Sequence, residues 1–180
     1  MTVDNSDIDS GSGRFSDMLH YIISKCEHKP RAGSTVLAKL CYFSDFDFYE
    51  LNGRSISNES YRKAPYGPLA CSFDNSLNHL VSSGRIKKVP NTDSDDSFRK
   101  YKSSKNPDLD KFSTEELELI DWVIERYGSQ TAKFLTDLSH NDVPWMIAKN
   151  GEIIDYDAVY YRYDNTSVSE NDTDECGDDD

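Results

Sequence analysis

Apolar residues recur at helical spacing through the first third of the chain. Phe15, Met18, Leu19, Ile22, Ile23 and Cys26 predict a helix over about Arg14 to Cys26. Lys29-Pro30-Arg31-Ala32-Gly33 breaks it. A second helix follows from Ser34. Leu37, Leu40, Cys41, Ser44, Phe48 and Leu51 share one face, and Tyr42, Phe46 and Tyr49 cover much of another. A helix apolar on more than one side is expected to be mostly buried. Ser34 is placed to cap its start, and Asn52-Gly53 is a stop signal. A loop or short extended piece with Ile56 and Tyr61 leads to Tyr66-Gly67-Pro68. There Pro68 suits the first turn of a helix carrying Leu69, Phe73, Leu77, Leu80 and Val81, which Gly84 ends.

The period then changes. Arg85 to Val89 and Phe98 to Lys102 alternate roughly every second residue and predict two strands, joined by a polar tip from Pro90 to Ser97. Helical spacing returns at Phe112. Ser113-x-x-Glu116 is a capping box, with Phe112 and Leu117 placed as a hydrophobic staple. That helix continues through Ile120, Trp122, Ile124 and Tyr127 to Gly128. Ser129 can open a short helix with Ala132, Leu135 and Leu138. Asn141 to Trp145 opens another, and Ile153 to Tyr161 is a last apolar segment. This order predicts an α+β, mostly helical domain: a compact helical bundle with one β-hairpin or small antiparallel sheet.

The formal charge of −13 changes this picture less than its size suggests. From Asp164 to Asp180 there are eight acidic residues and no basic one, whereas Met18 to Tyr163 sums to −2. The acidity lies at the ends, so an acidic coat over the fold is excluded. Residues 1–13 and 164–180 are polar and poor in apolar groups and read as disordered acidic tails around a single domain at 14–163. Cys26, Cys41, Cys71 and Cys176 form no C-x-x-C pair, which fits reduced thiols in a cytoplasmic chain. No apolar run is long enough to span a membrane, and no signal peptide is expected.

Little in the sequence points to catalysis. His20, His28, His79 and His140 have no metal-ligand spacing, no G-x-S-x-G occurs, and no Gly-rich phosphate cradle is present. Asp45 and Asp47 sit inside the aromatic second helix. At i, i+2 they point about 200° apart and cannot form a dyad. Asp45 is therefore expected to be a structural buried carboxylate paired with an Arg or Tyr, with the other carboxylate exposed. Arg85, Lys87, Lys88, Arg99, Lys100, Lys102 and Lys105 make the predicted hairpin basic. With the preceding helix this gives a winged-helix-like arrangement able to track phosphates. The neutral body and acidic ends weigh against non-specific nucleic-acid binding.

Several of these segments match one family in order. Lys39-Leu40-Cys41-Tyr42-Phe43-Ser44-Asp45, Asn52-Gly53-Arg54-Ser55-Ile56, Tyr66-Gly67-Pro68-Leu69, Phe112 to Gly128, Leu138-Ser139-His140 with Pro144-Trp145, and Gly151 to Tyr156 resemble the motifs of the Panacea domain. This family is also described as SocA-like antitoxin or phage-associated GepA-like. The resemblance runs from about Met18 to Tyr161. It implies a non-enzymatic antitoxin, without cofactor, that neutralises a toxin encoded beside it by direct contact. In at least one branch the toxin is also delivered to an ATP-dependent protease. The expected toxin-binding residues are Tyr66, Gly67, Pro68, His140 and Trp145, because both segments read as loop-to-helix junctions bearing aromatic anchors. The other reading of Tyr66 and Trp145 is as core residues. The alternative function is a DNA-binding regulator using the basic 85–105 hairpin.

Overall fold

The structure is a computed structural model that describes residues 9–90 and 100–169. Helix α1 spans Asp9–Cys26, and α2 spans Ser34–Asn52. Strands β1 (Tyr61–Ala64) and β2 (Gly67–Ala70) follow, then α3 (Phe73–Ser82), β3 (Ile86–Val89) and β4 (Lys100–Ser103). Helices α4 (Thr114–Tyr127), α5 (Ala132–His140) and α6 (Val143–Ile147) lead to a closing 3-10 helix at Tyr156–Tyr161. The fold is α+β and mostly helical, with two separate two-stranded antiparallel sheets. Among the described residues, no helix is long and apolar enough to cross a membrane.

Helix α2 is the centre. Every residue from Val36 to Phe48 is buried, because α1, α4, α5, β2 and the 3-10 helix surround it. This explains its weak amphipathicity: a helix enclosed on all sides has no solvent face to keep polar. The α1 stripe of Phe15, Met18, Leu19, Ile22, Ile23 and Cys26 is buried as its period requires. Gly53 ends α2 in the left-handed conformation at φ 70°, donating to Tyr49 O. The α4 capping box forms as read. Ser113 Oγ accepts from Glu116 N at 3.2 Å, and Glu116 Oε2 accepts from Ser113 N at 3.1 Å. The same buried Glu116 also receives Arg14 at 2.7 Å and Arg54 at 2.6 Å, tying α1 and the exit of α2 to the start of α4.

Several expectations are corrected. Pro68 lies in strand β2, opposite Lys63, and opens no helix. Pro65-Tyr66 instead turns the chain tightly, and Gly67 takes a φ of 110° that L side chains rarely adopt. The strand tolerates Pro68 because a two-stranded ribbon leaves one ladder edge without partners. Helix α3 therefore starts only at Phe73. Ser34 is the first helical residue of α2 rather than its cap. Gly33 takes the cap position with no side-chain hydrogen bond. Thr131, not Ser129, caps α5, accepting from Phe134 N at 3.0 Å.

Trp122 and Leu51 are 41% and 50% exposed, since the apolar faces of α4 and α2 are wider than the surfaces that cover them. Helix α1 begins inside the expected N-terminal tail, at Asp9. The start of the expected C-terminal tail is also structured. Thr166 is buried, and Ser167 Oγ, Val168 N and Ser169 N donate to the Glu50 carboxylate at 2.5, 3.3 and 3.3 Å. A carboxylate at the end of α2 gathers those polar groups, which composition alone does not reveal. The rest of both expected tails, Arg99 and Cys176 lie outside the described residues.

Candidate functional site

The β1–β2 hairpin is held from three sides. Asp45, fully buried in α2, accepts from Ile56 N at 2.9 Å, Ser57 N at 2.8 Å, Ser57 Oγ at 2.6 Å and Tyr61 OH at 2.7 Å. It thus clamps the chain between Gly53 and the first residue of β1. Burial pushes its carboxyl up to about 6, and the donors from Ser57, Tyr61 and Ile56 hold it from rising further.

On the outer edge of β1, Ile154 N donates to Tyr61 O at 2.8 Å, Lys63 N to Glu152 O at 2.9 Å and Gly151 N to Lys63 O at 2.9 Å. On the other side lies the α5–α6 junction. Trp145 Nε1 donates to Ala64 O at 3.3 Å, the Trp145 and His140 rings stack at 4.2 Å, and the Lys63 ammonium sits 4.0 Å from the Trp145 ring centroid.

The structure therefore brings Tyr66, Gly67 and Pro68 together with His140 and Trp145, 72 to 79 residues apart in sequence. Their roles differ. Tyr66 stands out at the turn, 78% exposed, and is no part of the core. Trp145 and His140 are half-buried, while Gly67 and Pro68 are buried supports. Met146, Ile147 and Ile153 are also exposed. They adjoin the hairpin through Lys63 Nζ to Met146 O at 3.4 Å and the bridge from Arg62 to Ile153.

Beneath the turn lies Lys39, which sequence reasoning quoted only as part of a motif. It is 3% exposed and forms no ion pair among the described residues. Its ammonium reaches Pro68 O at 3.5 Å, the limit of a hydrogen bond. Burial pulls it down to about 8. The available signal was a lysine inside an otherwise apolar helical run.

A second buried polar group joins α2 to the chain end. Arg162 donates from Nη1 to Asp47 Oδ1 at 2.8 Å and Glu50 Oε2 at 2.9 Å, and from Nε and Nη2 to Asp142 at 2.9 and 2.8 Å. Tyr42 OH donates to Asp142 Oδ2 at 2.6 Å. The expectation of an exposed second carboxylate is thus corrected: Asp47 is buried, because Arg162 is brought against it from a distant segment. Burial raises the Asp47 carboxyl to about 7 against the pull of Arg162.

The basic hairpin is less uniform than it reads. Lys87 stands opposite Lys102, and Val89 opposite Lys100, so these three lysines share one face. Arg85 faces Asp17 at 3.4 Å, and Lys88 and Lys105 are exposed elsewhere on the hairpin and its exit. Among the described residues, no group of three His, Cys, Asp or Glu is placed to hold a metal ion.

A family model described as Antitoxin SocA-like, Panacea domain, matches residues 37–146, from within α2 into α6. The chain belongs to this family. No curated protein and no solved structure matches it. The Panacea match takes in most of α2, the β1–β2 hairpin and the α5–α6 junction. The segment at 151–154 that flanks β1, and Arg162, lie beyond its end.

Proposed function

We propose that this chain is a non-enzymatic antitoxin of the Panacea type, acting in the cytoplasm on a toxin encoded beside it by direct contact. The contact face is the β1–β2 turn with the α5–α6 junction. Its anchors are Tyr66 and Trp145, with His140, Met146 and Ile153 around them. One observation carries this reading: a 78% exposed tyrosine held on a hairpin that is braced along the outer edge of β1 and by the Trp145 indole, beside a stacked Trp–His pair. Large aromatic side chains on a rigid support lose little entropy on binding and commonly dominate interface energy. The described residues offer no competing catalytic constellation. The lysine face of the 85–105 hairpin supports the DNA-binding alternative less well, because Arg85 is engaged by Asp17.

The test is co-expression with the adjacent gene, scoring growth and complex formation for wild type, Tyr66→Ala and Trp145→Ala, with circular dichroism on each. Tyr66→Ala should fold like wild type, since its ring is largely in water. It should bind the toxin about 30-fold more weakly, as a hot-spot truncation of about 2 kcal/mol does. Trp145→Ala should lose both binding and some stability. A host lacking ATP-dependent proteases separates neutralisation by contact from delivery to degradation. Absence of both rescue and complex for the wild type sinks the antitoxin reading. A salt-dependent shift of promoter DNA, lost on changing Lys87, Lys100 and Lys102, would establish the alternative.

A further inference from the structure

Lys39 has an environment that its role in folding does not explain. Lysines usually bury the stem and keep the ammonium in water. Here the whole residue is 3% exposed. Burying an ammonium without a counter-charge is unfavourable. Other enclosed charges are met by counter-charges or, like Asp45, by several short hydrogen bonds. Arg162 meets three carboxylates, and Glu116 and Asp17 each meet two cations.

Around Lys39 the walls are built to leave room. A cavity of about 210 Å³ is lined by Thr35, Ala38 and Lys39 of α2, Tyr66 and Gly67 of the turn, and Phe73 of α3. The exposed Tyr66 in this lining brings the cavity to the surface. A Cβ on Gly67 would fall 2.6 Å from Lys39 Nζ and 2.5 Å from Ser139 Oγ, so only glycine leaves the ammonium its space. Asp74 also borders the cavity, but it is exposed and not within ion-pair distance of Lys39.

We propose that Lys39 forms the floor of a carboxylate receptor, in which an aspartate or glutamate side chain of the bound partner protein enters beside Tyr66 and pairs with the buried ammonium. This rests on the toxin-binding reading and extends it: the partner surface presents an acidic residue next to the group that packs on Tyr66. The counter-charge absent from the free chain is then supplied on binding, where water is excluded and the pairing is strong.

The decisive variant is Lys39→Met, which keeps the stem and removes the charge. If Lys39 served the fold, this change would lower the melting temperature. On the present proposal the melting temperature stays or rises, because an apolar residue of similar volume replaces an unpaired charge. Affinity for the adjacent gene's product falls at least about tenfold, as expected for losing one partner of a desolvated pair. Unchanged affinity in a folded Lys39→Met chain overturns it.

A second arm needs no toxin. The free full chain, with its lysines labelled for NMR, is titrated with N-acetyl-glutamate methylamide and with the matching glutamine compound. A saturating shift of the Lys39 side-chain signals with the first alone supports the receptor, and equal shifts with both overturn it. If wild type binds no adjacent product, the toxin reading fails, while this titration still decides whether the site takes a carboxylate.

Discussion

Arg162→Met is expected to lower stability by roughly 3–5 kcal/mol, the usual cost of leaving buried carboxylates without their cation. For a chain of this size that is a fall of about 6–20 °C in melting temperature. The side chains involved are 0% exposed for Arg162, 1% for Asp47, 4% for Glu50 and 0% for Asp142, so water cannot replace the guanidinium. The guanidinium grips Asp142 with two nitrogens and bridges Asp47 and Glu50 with a third, which a lysine cannot reproduce.

The loss should also depend on pH in a stated direction. Burial raises the Asp47 carboxyl to about 7, and Arg162 is the largest influence holding it down. A carboxyl raised above its unfolded value contributes stability through its protonated form. That contribution is complete below the unfolded value and is lost as pH rises through about 7. Without Arg162 the carboxyl rises further, so the deficit of the variant is larger at pH 8 than at pH 6. Thermal melts of both chains at these two pH values measure it. Equal melting at pH 8, or a larger deficit at pH 6, would contradict the assignment of Arg162 as the counter-charge of this cluster.

Asp45→Ala should be of similar size, about 3–5 kcal/mol. It strands the buried N–H groups of Ile56 and Ser57 and the hydroxyls of Ser57 and Tyr61, and each unsatisfied group costs about 1–3 kcal/mol before any relaxation. Asp45→Asn should cost less. Its amide oxygen still accepts from the backbone, and the Ser57 and Tyr61 hydroxyls can rotate to accept from its NH₂. Because Asp45 holds the segment that leads into β1, toxin neutralisation should fall in step with stability. Denaturant melts alongside growth rescue test this. An Asp45→Asn chain that melts like wild type yet fails to rescue would make Asp45 a contact residue instead of a support.

These two variants also mark where sequence reading stops. Asp45 was recognisable as a carboxylate needing donors, since an acid inside an aromatic helical run must find them. Its actual partners lie 11 to 16 residues away, in a loop with no periodicity. Asp47, two positions on, looked equivalent and was expected in water. Its cation comes from 115 residues further along, from Arg162 in a Tyr-Tyr-Arg-Tyr segment whose tyrosines are exposed, and no local pattern marks that one side chain as enclosed. The candidate face was legible in part. Tyr66, His140 and Trp145 stood out as aromatic and ring side chains at breaks in the pattern, although the break at Pro68 was read as a helix start. Lys39 looked like an ordinary member of a motif.

The sequence by itself determined helices α1, α2 and α4, the stop at Gly53, the Ser113–Glu116 capping box, the β3–β4 hairpin and the Panacea kinship. The helices, the stop and the capping box depend on residues within a few positions of one another, where backbone preference, period and capping act directly, and the kinship depends on the order of such short motifs. Only the tertiary structure decided that Pro68 belongs to a strand, that residues 167–169 dock on Glu50, and that Asp47 is enclosed. It also left Lys39 buried without a counter-charge beneath Tyr66. Those outcomes depend on which distant groups are packed opposite. The free energy of a buried charge is set by its neighbours in space, and these are assembled only when the helices close around α2.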